Sequence, residues 1–289
     1  MTGQLTWLVT GCSSGLGEAI VQAILAKGDK AIATTRASKG ISGADRLSAL
    51  KEAGAAVYEL DMGSSEELLQ QQAKDIWETY GPIDVLVNNA GYIEAAAFEE
   101  MNDKFLLDSL RINAFGPFNL TRAFLPMMRA RRTGTVLFSG TVGSYYGAPG
   151  GTCYCGSKGL IEGVVPHLAL EIAPFNLRTS ILTYGHFRTP VMEPGHVHNR
   201  APNPLPDYVE MNTQMVAGLE AWSLNQPGDP RKAADLVVEA VRAEGRCEGK
   251  ELPLRLPVGL DTFDYVRKDC EEKMQILGEW EGVSSETNC

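Results

Sequence analysis

Tyr154 and Lys158 stand four positions apart at the start of a helical pattern, so both side chains project from one helix face. An ammonium close to a phenol stabilises the phenolate and lowers the phenol pKa. A tyrosine in that setting can serve as acid and base near neutral pH. The pair recurs by chance in many helices, so its meaning depends on what else the chain carries.

Far upstream, Thr10-Gly11-Cys12-Ser13-Ser14-Gly15-Leu16-Gly17 follows an apolar run and opens another helical pattern. Glycines let a backbone come close to a pyrophosphate, and a helix N-terminus adds unpaired N–H groups and a positive dipole end. The spacing is Gly-x3-Gly-x-Gly rather than Gly-x-Gly-x-x-Gly, and a plain tight turn is the competing reading. The next strand-like run ends in Ala33-Thr34-Thr35-Arg36. An acidic residue there would accept from a free ribose 2′-hydroxyl; Arg36, with Lys39 beyond it, suits a 2′-phosphate by charge and bidentate geometry. NADP(H) is therefore favoured over NAD(H), against the alternative of a solvated loop charge.

Four motifs now stand in one order and spacing: Thr10 to Gly17, Asn88-Asn89-Ala90-Gly91, Asn113, and Tyr154 to Lys158. Together they resemble the short-chain dehydrogenase/reductase family, closely over about residues 4–190 and more loosely beyond. The resemblance implies hydride transfer between nicotinamide and a carbonyl or alcohol. It implies that Tyr154 exchanges a proton with the substrate oxygen, that Lys158 binds the nicotinamide ribose and lowers the Tyr154 pKa, and that Asn113 holds a water in the relay. It assigns Gly11, Ser13, Ser14, Gly15, Leu16 and Gly17 to the phosphates, and Asp61 with Met62 to the adenine. Asn89, Ala90 and Gly91 would line the cofactor, and Gly185, Phe187 and Thr189 would lie by the carboxamide.

Two positions depart from the family pattern. A serine is usual thirteen residues before the tyrosine, and Thr141 stands there. Threonine keeps the hydroxyl but restricts χ1 and crowds the site; Ser139 is the competing candidate, and Thr141 is preferred. Before Gly185 the family shows proline, and this chain has Tyr184. Tyr146, Tyr184, His186 and Met192 are expected to line the substrate pocket, which suits a flat apolar or polyketide-like carbonyl compound, although such aromatics equally suit packing.

These groups need a scaffold that brings distant segments together. Apolar runs at 5–10, 30–35, 56–60, 83–88, 134–140 and 177–183 alternate with helical patterns near 15–27, 64–80, 99–131 and 152–173. That alternation predicts an α/β Rossmann-type fold, a doubly wound parallel sheet with helices on both faces, with its ligand beyond the carboxyl ends of the strands. Pro166 falls inside the last of these helices and would kink it. Residues 186–229 hold six prolines and read as a long irregular lid. Asp229 caps a helix at 230–243 with Pro230 in its first turn. A last edge strand falls at 252–257, and a charged helical tail at about 261–289 completes one domain over 1–289.

The formal net charge of −10 argues against nucleic acid or an anionic membrane as partner. Six scattered cysteines read as free thiols of a reducing cytosol. No secretory signal or membrane span is read, so a cytoplasmic protein is expected. His196 and His198 have no evident third ligand, and no metal is expected. The resemblance implies a homodimer or homotetramer with a small-molecule carbonyl or alcohol substrate. A non-redox isomerase, dehydratase or cyclase on the same fold, and a cofactor-binding scaffold without turnover, are the alternatives.

Overall fold

The computed structural model describes residues 3–38, 40–193 and 201–287. Lys39, His196 and His198, singled out above, lie outside them. In chain order the first half runs β1 (Thr6–Val9), α1 (Gly15–Ala26), β2 (Lys30–Thr35), α2 (Gly43–Arg46), α3 (Ser48–Glu52), β3 (Ala56–Glu59), α4 (Glu66–Tyr80) and β4 (Val85–Asn88). The second half runs α5 (Asp103–Leu110), a π-turn (Arg111–Phe115), α6 (Gly116–Arg131), β5 (Gly134–Thr141), α7 (Thr152–Ile172), β6 (Leu177–Tyr184), α8 (Val209–Trp222), α9 (Pro230–Arg242), β7 (Arg255–Val258) and α10 (Leu260–Ser285).

The strands form one sheet in the order β3-β2-β1-β4-β5-β6-β7, and every pairing is parallel. The order reverses between β1 and β4, where such sheets hold their ligands. Each central strand is apolar on both faces because both are covered. Trp7, Val9, Ala31, Ala33, Val85, Val87 and Leu137 point into a core with α1 and α9. Leu8, Ile32, Leu86, Val136 and Phe138 point the other way, against α4, α6 and α7. This two-sided burial explains the continuous apolar runs in place of strict alternation.

Helix starts follow side-chain capping. Ser65, Asn102 and Asp229 each accept a hydrogen bond from a backbone N–H inside their helix. Pro166 sits within an unbroken α7. Proline has no N–H for the carbonyl of Glu162 one turn back; Arg255 of β7 donates to that carbonyl from Nη2 at 3.3 Å and to the Glu162 carboxylate from Nε at 2.7 Å. The edge strand thus compensates the proline.

Two expectations need correcting. The helical pattern at 99–131 is two helices separated by the π-turn. The lid region contains a regular helix, α8, which its prolines obscured because they all lie outside it. Among the described residues no helix is long and apolar enough to cross a membrane.

Candidate active site

The carboxyl ends of β1, β4, β5 and β6 meet the N-terminus of α1 and the start of α7. Gly11 takes φ +72°, and a side chain there would lie 2.7 Å from Ala90 Cα. A side chain on Gly17 would meet the Gly11 carbonyl at 2.3 Å. Ser14 precedes α1 in an extended conformation and makes no side-chain cap, so the first N–H groups of the helix have no capping side chain. Bare backbone, tight turn and uncapped helix end together make a cradle that fits the phosphates of a dinucleotide.

The neighbouring Asn88 to Gly91 segment is pinned to this turn. Thr10 Oγ1 accepts from the backbone N–H groups of Asn89 and Ala90, at 2.9 and 3.0 Å, and Asn89 Nδ2 donates to the Thr10 carbonyl at 3.0 Å. Gly91 faces both Asn113 and Lys158: a Cβ on it would lie 3.1 Å from Asn113 Oδ1 and 3.6 Å from Lys158 Nζ. Gly15 backs onto Thr189, which is buried, while Leu16 packs against the core. Asp61 Oδ1 accepts from the Gly63 N–H at 2.9 Å, and Met62 is buried beneath it.

Lys158 is buried, and its Nζ donates to the Ser139 carbonyl at 2.8 Å. Burial pushes its pKa down to about 8. The Tyr154 phenol is pushed well above its usual value, first by burial and then by the neighbouring Cys155 thiol, and Thr141 opposes the shift by hydrogen bonding to the phenol oxygen. Thr141 Oγ1 also accepts from the Gly143 N–H at 3.2 Å, which leaves its hydroxyl hydrogen for Tyr154. Ser139 is turned elsewhere and donates to Asn89 Oδ1 at 3.3 Å. Thr141, not Ser139, therefore accompanies Tyr154. The lysine is held by a backbone carbonyl, and in this state burial governs the phenol.

Asn113 lies in the π-turn, fully buried. Its side-chain amide accepts from the Tyr92 N–H and donates to the Tyr92 carbonyl, both at 3.0 Å, bracing the loop after β4. π-turns break the regular hydrogen-bond ladder and recur at functional sites.

Of the expected pocket residues, Tyr184 is buried in the core with its ring edge-on to Phe187, centroids 5.8 Å apart. Met192 is partly buried and its sulfur accepts from Gln226 Nε2. Tyr146 and His186 lie together: the Tyr146 hydroxyl is 3.3 Å from His186 Nε2. Arg36 is exposed at the end of β2, and its carbonyl accepts from Arg46 Nη1 at 2.7 Å. Arg46 Nη2 reaches Ser13 Oγ at 3.1 Å. Arg46 escaped sequence reasoning because nothing in a Ser42-capped single-turn helix signals that it folds back over the glycine turn. Among the described residues no group of three or more His, Cys, Asp or Glu side chains could hold a metal.

With this geometry in view, residues 6–198 match the family model described as short chain dehydrogenase. Oxidoreductase BOA17 of Botryotinia fuckeliana is 29% identical over 278 residues, covering 96% of this chain and 97% of that protein. The 3-oxoacyl-(acyl-carrier-protein) reductase FabG of Haemophilus influenzae is 32% identical over 193 residues, covering 67% of this chain and 78% of its own. A solved short-chain dehydrogenase from Streptomyces avermitilis is 34% identical, covers 100% of both chains and superposes with a TM-score of 0.84. The chain belongs to the short-chain dehydrogenase family. By family and fold it is an oxidoreductase.

Proposed function

We propose that the chain is an NADPH-dependent ketoreductase acting on a small apolar or aromatic carbonyl compound. The observation that carries this reading is the convergence of Tyr154, hydrogen-bonded to Thr141, with buried Lys158 beside the dinucleotide cradle. The bound dihydronicotinamide would supply a hydride to the carbonyl carbon. Tyr154 would deliver its proton to the carbonyl oxygen while Thr141 donates a hydrogen bond to the charge developing there. Lys158, fixed by the Ser139 carbonyl, would orient the cofactor ribose, and Asn113 would hold the relay segment and its water. A neutral phenol suits the reductive direction, which consumes a proton.

Two guanidinium groups support the phosphorylated cofactor. Arg36 closes β2, and Arg46 spans from the Arg36 carbonyl to Ser13 of the phosphate turn. Both would face a 2′-phosphate, and charge-assisted bonds to phosphate are the strong ones. Assembly as a homodimer or homotetramer belongs to the same reading; exposed Leu107, Phe115 and Leu170 on α5 to α7 fit such contacts, and light scattering measures it.

The test is turnover. A panel of aryl and alicyclic ketones incubated with NADPH, with loss of reduced nicotinamide and appearance of alcohol both measured, should give stoichiometric conversion. Product forming from a substrate without any cofactor consumption would instead favour a non-redox isomerase, dehydratase or cyclase.

A further inference from the structure

Beside the catalytic tyrosine, four elements converge on one histidine. His186 follows β6; Tyr146 comes from the loop after β5; Trp222 ends α8 of the lid; Asp261 and Tyr265 lie in the first turns of α10. Asp261 Oδ2 accepts from the His186 backbone N–H and sits 2.8 Å from His186 Nδ1. The approach depends on Gly185, where a Cβ would lie 2.0 Å from Asp261 Oδ1. The His186 ring packs 4.4 Å from Trp222 and 5.7 Å from Tyr265, while Tyr146 stacks on Tyr265 at 4.5 Å. Thr141 pairs across the sheet with Tyr184, two residues before His186, so the cluster adjoins the reacting centre.

The hydrogen-bond logic of this cluster is specific. An ionised carboxylate only accepts, so the 2.8 Å contact requires the proton on Nδ1. In the neutral ring Nε2 is then an acceptor in need of a donor. Tyr146 satisfies it at 3.3 Å, a long contact for an O–H donor, and the residue is 36% exposed. A ligand hydroxyl can donate to Nε2 and accept from the Tyr146 hydroxyl, closing the chain with every partner satisfied. A ketone or ether oxygen can accept from Tyr146 but leaves Nε2 unpaired. A carboxylate or phosphate would meet the Asp261 charge.

Resting on the reductase reading, we propose that Tyr146, His186 and Asp261 form a specificity subsite for a ring-borne hydroxyl, so that the substrate is a flat hydroxylated cyclic ketone. Trp222 and Tyr265 supply the aromatic walls for its ring. Asp261 is a positioning residue that fixes the tautomer; Tyr146 and His186 would touch the substrate.

Binding and turnover are read separately. Calorimetric titration uses the NADPH-loaded Tyr154→Phe protein, in which ligand stays unreacted, with 6-hydroxy-1-tetralone, 6-methoxy-1-tetralone, 1-tetralone and the 6-carboxy analogue. The hydroxyl compound should bind at least about tenfold more tightly than the other three, one satisfied donor–acceptor pair. Adding His186→Phe, which keeps a ring against Trp222, should shrink that preference to about twofold or less, and His186→Gln should restore part of it. If His186→Phe does not fold, Tyr146→Phe reads the same ratio. Equal binding of hydroxy, methoxy and parent ketones, tighter binding of the carboxylate, or a preference that survives His186→Phe would each overturn the subsite. Hydroxyl preference in binding, with no wild-type turnover of any ketone by NADPH, would uphold the subsite and sink the reductase reading.

Discussion

Tyr154 and Lys158 sit in surroundings that their spacing alone does not report. The i,i+4 pair suggests an ammonium lowering a phenol pKa, yet the ammonium is engaged by the Ser139 carbonyl and the phenol is raised by burial. Spacing on a helix reports a shared face; it does not report which third group competes for the lysine. That Thr141 rather than Ser139 meets Tyr154 was legible from the register along β5, whereas the approach of Arg46 to Ser13 and of Asp261 to His186 was not. Both contacts arise from tertiary folding, for which a single sequence holds no local signal. Two outcomes belong at this scale. Tyr154→Phe should lower kcat by about a hundred- to ten-thousand-fold while cofactor affinity changes little, read by steady-state kinetics beside a binding titration. Lys158→Met should remove activity yet raise the melting temperature. The folded Lys158 value of about 8 lies below the ordinary 10.5, so the unfolded chain binds the proton more tightly. The burial penalty, on the order of 3 kcal/mol, is full below the folded value and fades as pH climbs to the unfolded one. The variant's advantage should therefore be largest near neutral pH and shrink in alkali; equal melting at neutral pH would contradict the account.

At the scale of elements, the strands and most helices were readable because two-sided burial and capping leave local marks. Asp229 before Pro230 marks α9 in the chain itself, and the structure bears it out. The π-turn was not readable: one extra residue per turn over 111–115 leaves the apolar spacing of the 99–131 pattern nearly unchanged. The lid helix was missed for the opposite reason, since flanking prolines dominated the reading. One buried carboxylate takes several of the hydrogen bonds that fasten the lid. Glu100 has almost no exposed surface and accepts from the Ala97 N–H at 3.2 Å, the Leu205 N–H at 3.0 Å and Asn212 Nδ2 at 2.8 Å. The Leu205 N–H and the Asn212 amide hold its pKa below the usual carboxylate range, so this fastening is full above that range and is lost as pH falls through the lowered folded value. Glu100→Ala should speed proteolytic cleavage within 201–212 and raise KM, with little change in the melting of the sheet. Unaltered cleavage and KM would show that the lid is held by other contacts.

Across the whole molecule, the site end and the opposite end of the sheet are built differently. At the amino ends of the strands Asp29 is buried and takes both Nη1 contacts from Arg242 of α9, at 2.8 and 2.9 Å. Trp7 Nε1 and the Leu5 N–H also donate to it at 2.9 Å. This clamp joins the first strand, the α1–β2 connection and the last helix of the core, far along the chain from one another. Arg242 keeps Glu244 at 2.9 Å from Nη2, but Asp29→Ala strips the Trp7 Nε1 and Leu5 N–H donors of their acceptor, so it should cost about 1–3 kcal/mol of stability in denaturant titration. Activity per folded molecule should be unchanged, because the clamp does not touch the cradle. The carboxyl end, by contrast, carries uncapped N–H groups and polar atoms such as Asn88 Oδ1 that lack partners among the described residues. Unmet polar demand at one end and a satisfied network at the other is the arrangement expected of a protein stabilised away from its site.

Equilibrium titration reads whether this cradle holds NADPH, as proposed above. NADPH and NADH should be titrated against wild type, Arg36→Ala and Arg46→Ala by nicotinamide fluorescence. Wild type should prefer NADPH, and each substitution should weaken NADPH by about ten- to a hundredfold, the worth of one charge-assisted contact, while leaving NADH nearly unaffected. Equal weakening of both cofactors, or NADH binding more tightly than NADPH in wild type, would contradict the assignment.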